Sequence, residues 1–280
     1  MLPRLVLALV LTTGAVSARA ADMPSIEDTI LRGGYVPELT PAPPTLDWSG
    51  IVIGAQVGLS TMHTDFGNAT SSEIAYALRN TTVQNEFEPS TWTTLPADTT
   101  NSTFYGGFIG YNYQLDKLVL GADIAYNRPK ELHSEASDFI SRIVTTSDDI
   151  SHTVSITSAA SLDLVDYATF RVRAGYAFDQ FLPYAVVGGA VGRFNYTTTA
   201  TVVDDWTPVG GGATTHFAPP TQSSSKDGAI TAGFVAGLGV DVSLLPNMFF
   251  RAEYEYVVFA PLNGIRAQLN TGRVGIGFRF

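Results

Sequence analysis

The feature that most constrains this chain is an alternation of residue character with a period of two. In residues 169–178, apolar or aromatic residues alternate with Thr, Arg, Arg, Gly and Ala, and in residues 273–280 Val, Ile and Phe alternate with Arg and Gly. Successive side chains of a β-strand point to opposite faces, so this pattern predicts strands with one apolar and one polar face. The chain is therefore expected to be an all-β protein.

Eight segments carry the alternation, and the candidate strands are 49–60, 103–114, 117–128, 160–178, 181–197, 228–243, 248–259 and 267–280. The short links are 115–116, 179–180 and 244–247, and the long, polar links are 61–102, 129–159 and 198–227. Short helical turns are expected inside the long links at 71–80 and 134–143. Alternately short and long links are typical of membrane barrels. We predict an eight-stranded antiparallel transmembrane β-barrel with short periplasmic turns and long extracellular loops.

The polar faces of these strands combine glycines with charges of both signs, and we predict that they line the lumen. The charged residues are Asp123, Arg171, Arg173, Arg193, Asp241, Arg251, Glu253, Glu255, Arg273 and Arg279. The glycines are Gly106, Gly110, Gly121, Gly175, Gly189, Gly237, Gly239, Gly275 and Gly277. Glycine weakens a strand, but in a narrow lumen it leaves room for long side chains. An unpaired charge there is costly, so we expect a connected ion-pair network.

Aromatic residues near the strand ends favour a membrane barrel over its rival, a soluble lipocalin-like barrel with an apolar interior. The residues expected on the outward face are Tyr111, Tyr113, Tyr126, Tyr176, Phe178, Phe181, Tyr184, Tyr196, Tyr254 and Tyr256. Rings at both membrane interfaces are typical of transmembrane barrels.

The N-terminus predicts export. Arg4 precedes an apolar run over 5–18, which ends in the small-residue pattern of 18–20. This is the pattern of a signal peptide, so we assign residues 1–20 to it, with cleavage near Ala20. The proline-containing residues 21–47 are interpreted as a periplasmic tether, and 48–280 as the barrel.

Composition excludes several classes of function. The chain has 16 Lys+Arg against 26 Asp+Glu, so nucleic acid is not expected as a partner, and it has no cysteine for disulfides or thiolate metal sites. No nucleophile elbow, zinc-protease or phosphate-loop motif occurs, so we predict no enzyme, no cofactor and no metal centre. The weak candidates for haem or metal binding are the loop histidines His63, His133, His152 and His216.

The predicted extracellular loops are acidic. The acidic residues of the first two long links are Asp65, Glu73, Glu86, Glu88, Asp98, Glu131, Glu135, Asp138, Asp148 and Asp149. Such loops are expected to form a variable, solvated surface.

Four segments resemble a known family: Asp47-Trp48-Ser49-Gly50, the stretch 170–179, Leu182-Pro183-Tyr184 and the Phe280 terminus. They resemble the alphaproteobacterial outer-membrane β-barrel family, often labelled porin-like or outer-membrane immunogenic proteins, with OmpA-type barrels as more distant relatives. The resemblance implies a place in the cell outer membrane and contact with its lipids and lipopolysaccharide. It also implies that Phe278 and Phe280 form the assembly signal read by the barrel assembly machinery.

The size of the barrel narrows the expected function. Eight strands leave an interior just wide enough for side chains, so the lumen is expected to be filled. We therefore predict a structural protein that supports envelope integrity and presents acidic surface loops. The alternatives are a surface receptor for haem or cations through the loop histidines and acids, a small-solute porin, and a soluble lipocalin-like binding protein.

Overall fold

The computed structural model describes residues 46–280, so the predicted signal peptide and most of the tether lie outside the described residues. The strands are β1 Gly50–Asp65, β2 Asp98–Leu115, β3 Leu118–Pro129, β4 His133–Thr145, β5 Ile150–Tyr176, β6 Phe181–Pro208, β7 Thr215–Phe217, β8 Gln222–Leu245, β9 Met248–Phe259 and β10 Arg266–Arg279. The helices are α1 Ser71–Ala77 and α2 Thr82–Phe87, followed by a 3-10 turn at Pro89–Thr91. Over residues 46–280, no helix is long and apolar enough to cross a membrane.

Eight of the strands close into a ring. The order around it is β1, β2, β3, β5, β6, β8, β9 and β10, and β10 pairs again with β1, always antiparallel. Following paired residues from Phe108 in one direction leads to Gly233, and in the other direction to Ser243, a displacement of ten residues (243 − 233) along β8. Such a stagger tilts the strands and closes the sheet. The predicted eight-stranded antiparallel barrel is confirmed.

The links differ from the prediction in one respect. The three periplasmic turns are short, as expected, but β5, β6 and β8 continue well beyond the ring on the extracellular side. There β4 pairs with β5 and β7 pairs with β6, forming an upright sheet that we call the extension. The helix expected within 71–80 is confirmed as α1, whereas the helical turn expected at 134–143 is wrong, because this segment is strand β4.

One strand faces the opposite way from the prediction. In β6, Tyr184 and Tyr196 face inward, whereas Gly189 and Arg193 face outward. An error of one residue moves every side chain of a strand to the other face. Between Phe181 and Arg193, both faces of β6 are apolar, and Arg193 lies beyond the lipid-facing part of the strand. Its charge therefore led the prediction to assign the wrong face of β6 to the lumen.

Two lumen glycines make room for aromatic rings. A Cβ on Gly277 would lie 2.3 Å from the ring of Phe249, and a Cβ on Gly54 would lie 2.5 Å from the ring of Phe108. Real Cβ atoms do not approach so closely. The lumen glycines therefore serve aromatic packing as well as the charged side chains named above.

Candidate functional site: the lumen and its extracellular cap

A layer of charged side chains crosses the middle of the lumen, and we call it the charge layer. Its members are Asp123, Arg171, Arg173, Asp241, Arg251, Glu253, Glu255 and Arg273, none more than 5% exposed. They project inward from β3, β5, β8, β9 and β10, because each occupies the inward parity of its strand. Four arginines face four carboxylates, so the layer carries no net charge.

One half of the charge layer is centred on Arg171. Its Nε donates to Asp123 Oδ1 at 2.7 Å, and one terminal nitrogen lies 2.6 Å from Glu255 Oε2 and also contacts Glu253. Arg273 lies 2.6 Å from Glu253 Oε1 and contacts Glu255 as well. Two guanidiniums therefore share two carboxylates: the contacts of Arg171 are charge-assisted hydrogen bonds, the strong class, whereas those of Arg273 are close ion pairs.

The other half is centred on Asp241. Arg251 donates to it through two nitrogens, at 2.8 and 2.9 Å, and Arg173 donates at 2.8 Å. The Arg173 guanidinium lies 3.7 Å from the centre of the Tyr184 ring, and the Tyr184 hydroxyl donates to Glu253 at 2.8 Å. Tyr184 therefore joins the two halves of the layer. The sequence prediction missed this role because it placed Tyr184 on the outward face.

Two predicted members lie outside the charge layer. Arg193 projects outward at the extracellular end of the apolar band, where it pairs with Asp166, which also accepts from the Tyr126 hydroxyl at 3.0 Å. Arg279 lies at the periplasmic end, donates to the carbonyl of Pro246, and stands 5.1 Å from the ring centre of Trp48. Neither arginine can contribute to the central ion pairs.

Apolar layers cover the charge layer on both sides. The periplasmic layer includes Trp48, Val52, Phe108, Val119, Ala177, Leu182, Tyr184 and Phe249. The extracellular layer includes Met62, Phe66, Leu132, Leu162, Leu164, Tyr167, Phe194, Val257, Phe259 and Leu269. On β9 the order is Phe249, Arg251, Glu253, Glu255 and Val257, which places the charges between the two layers.

A small helical subdomain covers the inner face of the extension, and we call it the cap. It consists of α1, α2 and the 3-10 turn, and its apolar side packs against the strands. The fully buried core of this contact is Ile74, Leu78, Val83, Val154, Ile156, Ala200 and Val202. The first long loop is therefore an ordered structure with a core of its own.

Polar contacts fix the cap to the strands. Glu73, only 7% exposed, accepts from the Thr198 hydroxyl of β6 at 2.6 Å, and Asn263 donates to the same hydroxyl at 3.2 Å. Thr70 donates to Ser158 of β5 at 3.1 Å. Glu73 thus belongs to the interior of the cap and not to the acidic outer surface predicted for it.

The four histidines do not converge. His63 contacts Thr99 at 3.0 Å, His152 pairs with Asp204 at 2.8 Å, and the other two, His133 and His216, contact Asp163 and Asp205 respectively, each at 2.5 Å. Within residues 46–280, no three His, Asp or Glu side chains form a group that could hold a metal ion.

Two of these pairs have shifted pKa values. The hydrogen bond that the His133 ring donates to Asp163 raises the pKa of His133 above 6.5, although partial burial opposes this rise. Burial raises the pKa of Asp204, and its contact with His152 opposes that shift. Both pairs therefore link neighbouring strands of the extension in a manner that depends on protonation.

The predicted assembly signal lies on the closing strand. Phe278 and Phe280 face outward and are 44% and 76% exposed. The backbone of Phe280 exchanges two hydrogen bonds with Ile51, at 2.9 and 3.1 Å. Recognition of these rings by the assembly machinery stays a prediction.

The sequence matches the family described as outer membrane protein beta-barrel domain over residues 8–280. Among solved structures, Ail of Yersinia pestis is 14% identical, with 83% of this chain and 99% of that chain covered and a TM-score of 0.34. OprG from Pseudomonas aeruginosa is 12% identical, with coverage of 83% and 96% and a TM-score of 0.39. Neisserial surface protein A is 11% identical, with coverage of 83% and 98% and a TM-score of 0.34.

Curated protein sequences give no significant match to the chain. The family match extends over almost the whole chain, and the fold is a closed antiparallel barrel with an apolar outer face. The chain therefore belongs to the outer membrane β-barrel protein family, and its location is the cell outer membrane.

Proposed function

We propose that this protein is a structural component of the outer membrane, a closed barrel that holds the ordered cap above the membrane and supports envelope integrity. It forms no general pore and catalyses no reaction. The observation that supports the proposal is the filling of the lumen by the charge layer and by the apolar layer on each side, together with the packing of the cap against the extension above it.

The width of the barrel and the energy of its ion pairs argue in the same direction. An interior of eight strands holds side chains rather than a water column. A solute crossing it would have to separate contacts such as Arg251 with Asp241, and breaking a buried pair costs about 3–5 kcal/mol. It would also have to displace the ring of Phe249 on one side and that of Phe194 on the other.

The arrangement of the histidines also favours a structural function over a haem receptor. Each histidine contacts its own neighbour through Nδ1, and His152 is buried with Asp204 on the inner face of the extension. A haem receptor would need an axial ligand beside an apolar slot. The outer surface instead keeps exposed carboxylates such as Glu86, Glu88 and Glu131, as expected for a solvated acidic surface.

Conductance in planar bilayers tests the closed lumen. The purified barrel is expected to give no conductance steps above the noise. The double variant Glu253→Ala with Glu255→Ala should produce irregular channel openings, because it removes two of the four carboxylates of the charge layer. Large, steady channels from the unaltered protein would contradict the proposal.

The envelope role requires a cellular test. Deleting the gene is expected to increase sensitivity to detergents and large antibiotics, and the intact chain should restore resistance. A chain that lacks cap residues 71–91 but still inserts would separate the contribution of the barrel from that of the cap. Unchanged sensitivity of the deletion strain would argue against a role in envelope integrity.

A further inference from the structure

A groove on the lipid-facing side of the barrel crosses β2, β1 and β10. Its volume is about 780 Å³, and the outward-facing residues that line it are Val57, Leu59, Thr103, Tyr105, Lys130, Gly272 and Val274. Strand pairing places Tyr105, Val57 and Val274 in one row, and Thr103, Leu59 and Gly272 in the next row towards the cell exterior. The groove is therefore built into the regular wall of the barrel.

Gly272 gives the groove its depth. A Cβ at this position would meet no atom within 4 Å, whereas a Cβ on the inward-facing Gly54 or Gly277 would collide with the ring of Phe108 or Phe249, respectively. Packing inside the barrel therefore does not require glycine at position 272. Glycine weakens a strand and often marks a place where another molecule approaches closely.

The groove ends where the membrane-facing surface becomes polar. Leu59 and Val57 are 68% and 56% exposed, as expected for side chains that face lipid. In the next row upward, the Thr61 hydroxyl donates to Asn101 at 2.6 Å. The groove thus occupies the depth at which an acyl chain meets its headgroup.

Two cations lie on the β3 side of the groove, at the extracellular end of that strand. Lys130 lines the groove, and its backbone N–H donates to the Thr103 carbonyl at 2.9 Å, while Arg128 lies opposite Tyr105 in the β2–β3 pairing. Both are exposed, and within residues 46–280 neither forms a salt bridge. The neighbouring carboxylates are those of Glu131 and Asp166, and Asp166 is already paired with Arg193, so this end of the groove keeps a surplus of positive charge in an otherwise acidic extracellular surface.

We infer that this groove binds a phosphorylated glycolipid of the outer leaflet, of the lipid A class. An acyl chain lies against Val57, Leu59 and Val274 in the space left by Gly272, and a phosphate contacts Lys130 and Arg128. A phospholipid would offer the same chemistry, but phospholipids occupy the periplasmic leaflet, and both cations stand at the extracellular end. The inference rests on the membrane location of the barrel and is independent of whether its lumen conducts.

Native mass spectrometry of the detergent-purified protein, titrated with bisphosphorylated lipid A, tests the site. Gly272→Leu should fill the groove, and its matched control is Ala236→Leu, which enlarges an outward-facing residue on β8. Arg128→Gln and Lys130→Gln should each weaken retention about fivefold, because a cation near an anionic lipid surface contributes about 1 kcal/mol. Lys117→Gln, at a periplasmic turn, is the matched control for charge.

The outcomes separate the inference from its rivals. Loss of bound lipid A in Gly272→Leu but not in Ala236→Leu supports the binding of lipid A in the groove, provided that both variants show the heat-modifiable gel migration of a folded barrel. Equal retention in this pair would overturn the inference, and so would equal competition by phosphatidylglycerol. Channel formation by the unaltered protein would contradict the proposed function and leave this inference intact.

Discussion

The charge layer and the extension both contain paired acidic and basic side chains, but in different surroundings. In the charge layer, every carboxylate and guanidinium is at most 5% exposed. At the edge of the extension, the paired side chains of His133 and Asp163 are 50% and 44% exposed. Exposed pairs contribute about 0–1 kcal/mol, whereas removing one partner of a buried pair costs about 3–5 kcal/mol. Burial, and not the type of residue, therefore decides how much stability is lost when one partner of an ionic contact is removed.

The largest effect is expected in the charge layer. Glu255→Ala would leave Arg171 and Arg273 with less compensating charge, so the free energy of unfolding should fall by about 3–5 kcal/mol. Urea unfolding in lipid vesicles, followed by gel migration of unboiled samples, measures this change. Glu135→Ala, whose side chain is 80% exposed, is the matched control and should change stability by less than about 0.5 kcal/mol. Similar losses of unfolding free energy in Glu255→Ala and Glu135→Ala would show that burial does not decide the cost of removing a charged partner.

A slightly smaller effect is expected in the core of the cap. Leu78 is fully buried between α1 and the extension, so Leu78→Ala should destabilise the cap by about 2–5 kcal/mol. Limited proteolysis should then cut within 66–97 while the barrel keeps its folded gel migration. Tyr76→Ala, on the exposed side of the same helix, is the control. Unfolding of the whole barrel by Leu78→Ala would mean that cap and barrel form a single cooperative unit.

The hydroxyl of Thr198 provides a sharper test of how the cap is attached. Thr198→Val keeps the shape of the side chain but leaves the Glu73 carboxylate and the Asn263 amide without this partner. An unsatisfied buried group costs about 1–3 kcal/mol, so protease cleavage of the cap should accelerate accordingly. Thr199→Val, on the outward face of the same strand, should leave the rate unchanged. If the two variants behave alike, the Glu73 contact does not hold the cap.

The smallest effect is expected from pH. The folded protein raises the pKa of His133 above 6.5, so the protonated form is favoured in the fold. Its contribution is fully present below pH 6.5 and is lost as the pH rises through the raised pKa. Half-exposed partners limit the contribution to about 1 kcal/mol or less. An NMR titration should show a higher His133 pKa in the unaltered protein than in Asp163→Asn, and identical values would contradict the pairing.

Much of the barrel could be predicted from sequence because lipid and lumen impose opposite demands on neighbouring residues. Arg171 and Arg173 between Phe170, Val172 and Ala174 reveal the inward face directly. The extension was missed because its outward face meets water and carries Ser and Thr, which are also typical of loops. The alternation of Val154 and Ile156 with Thr and Ser was the signal that could have revealed it.

The cap and the layered lumen could not be predicted in the same way. Contacts such as Glu73 with Thr198 join residues 125 positions apart, and no local pattern specifies them. The role of Tyr184 depended on the orientation of β6, for which two apolar faces gave no decisive signal. Alternation gives the faces of single strands, but it does not give the partners that meet when the ring closes.

The pairing of β1 with β10 constrains how the protein can assemble. Ile51 and Phe280 exchange backbone hydrogen bonds although 229 residues separate them in the chain (280 − 51). Every earlier stage exposes two unpaired strand edges, and hydrocarbon cannot satisfy their N–H and C=O groups. The neighbouring hairpins can form early, but the last strand must be synthesised before the wall is complete. Synthesis, export and membrane insertion must therefore be ordered in time, because the barrel can close only after β10 is available to pair with β1.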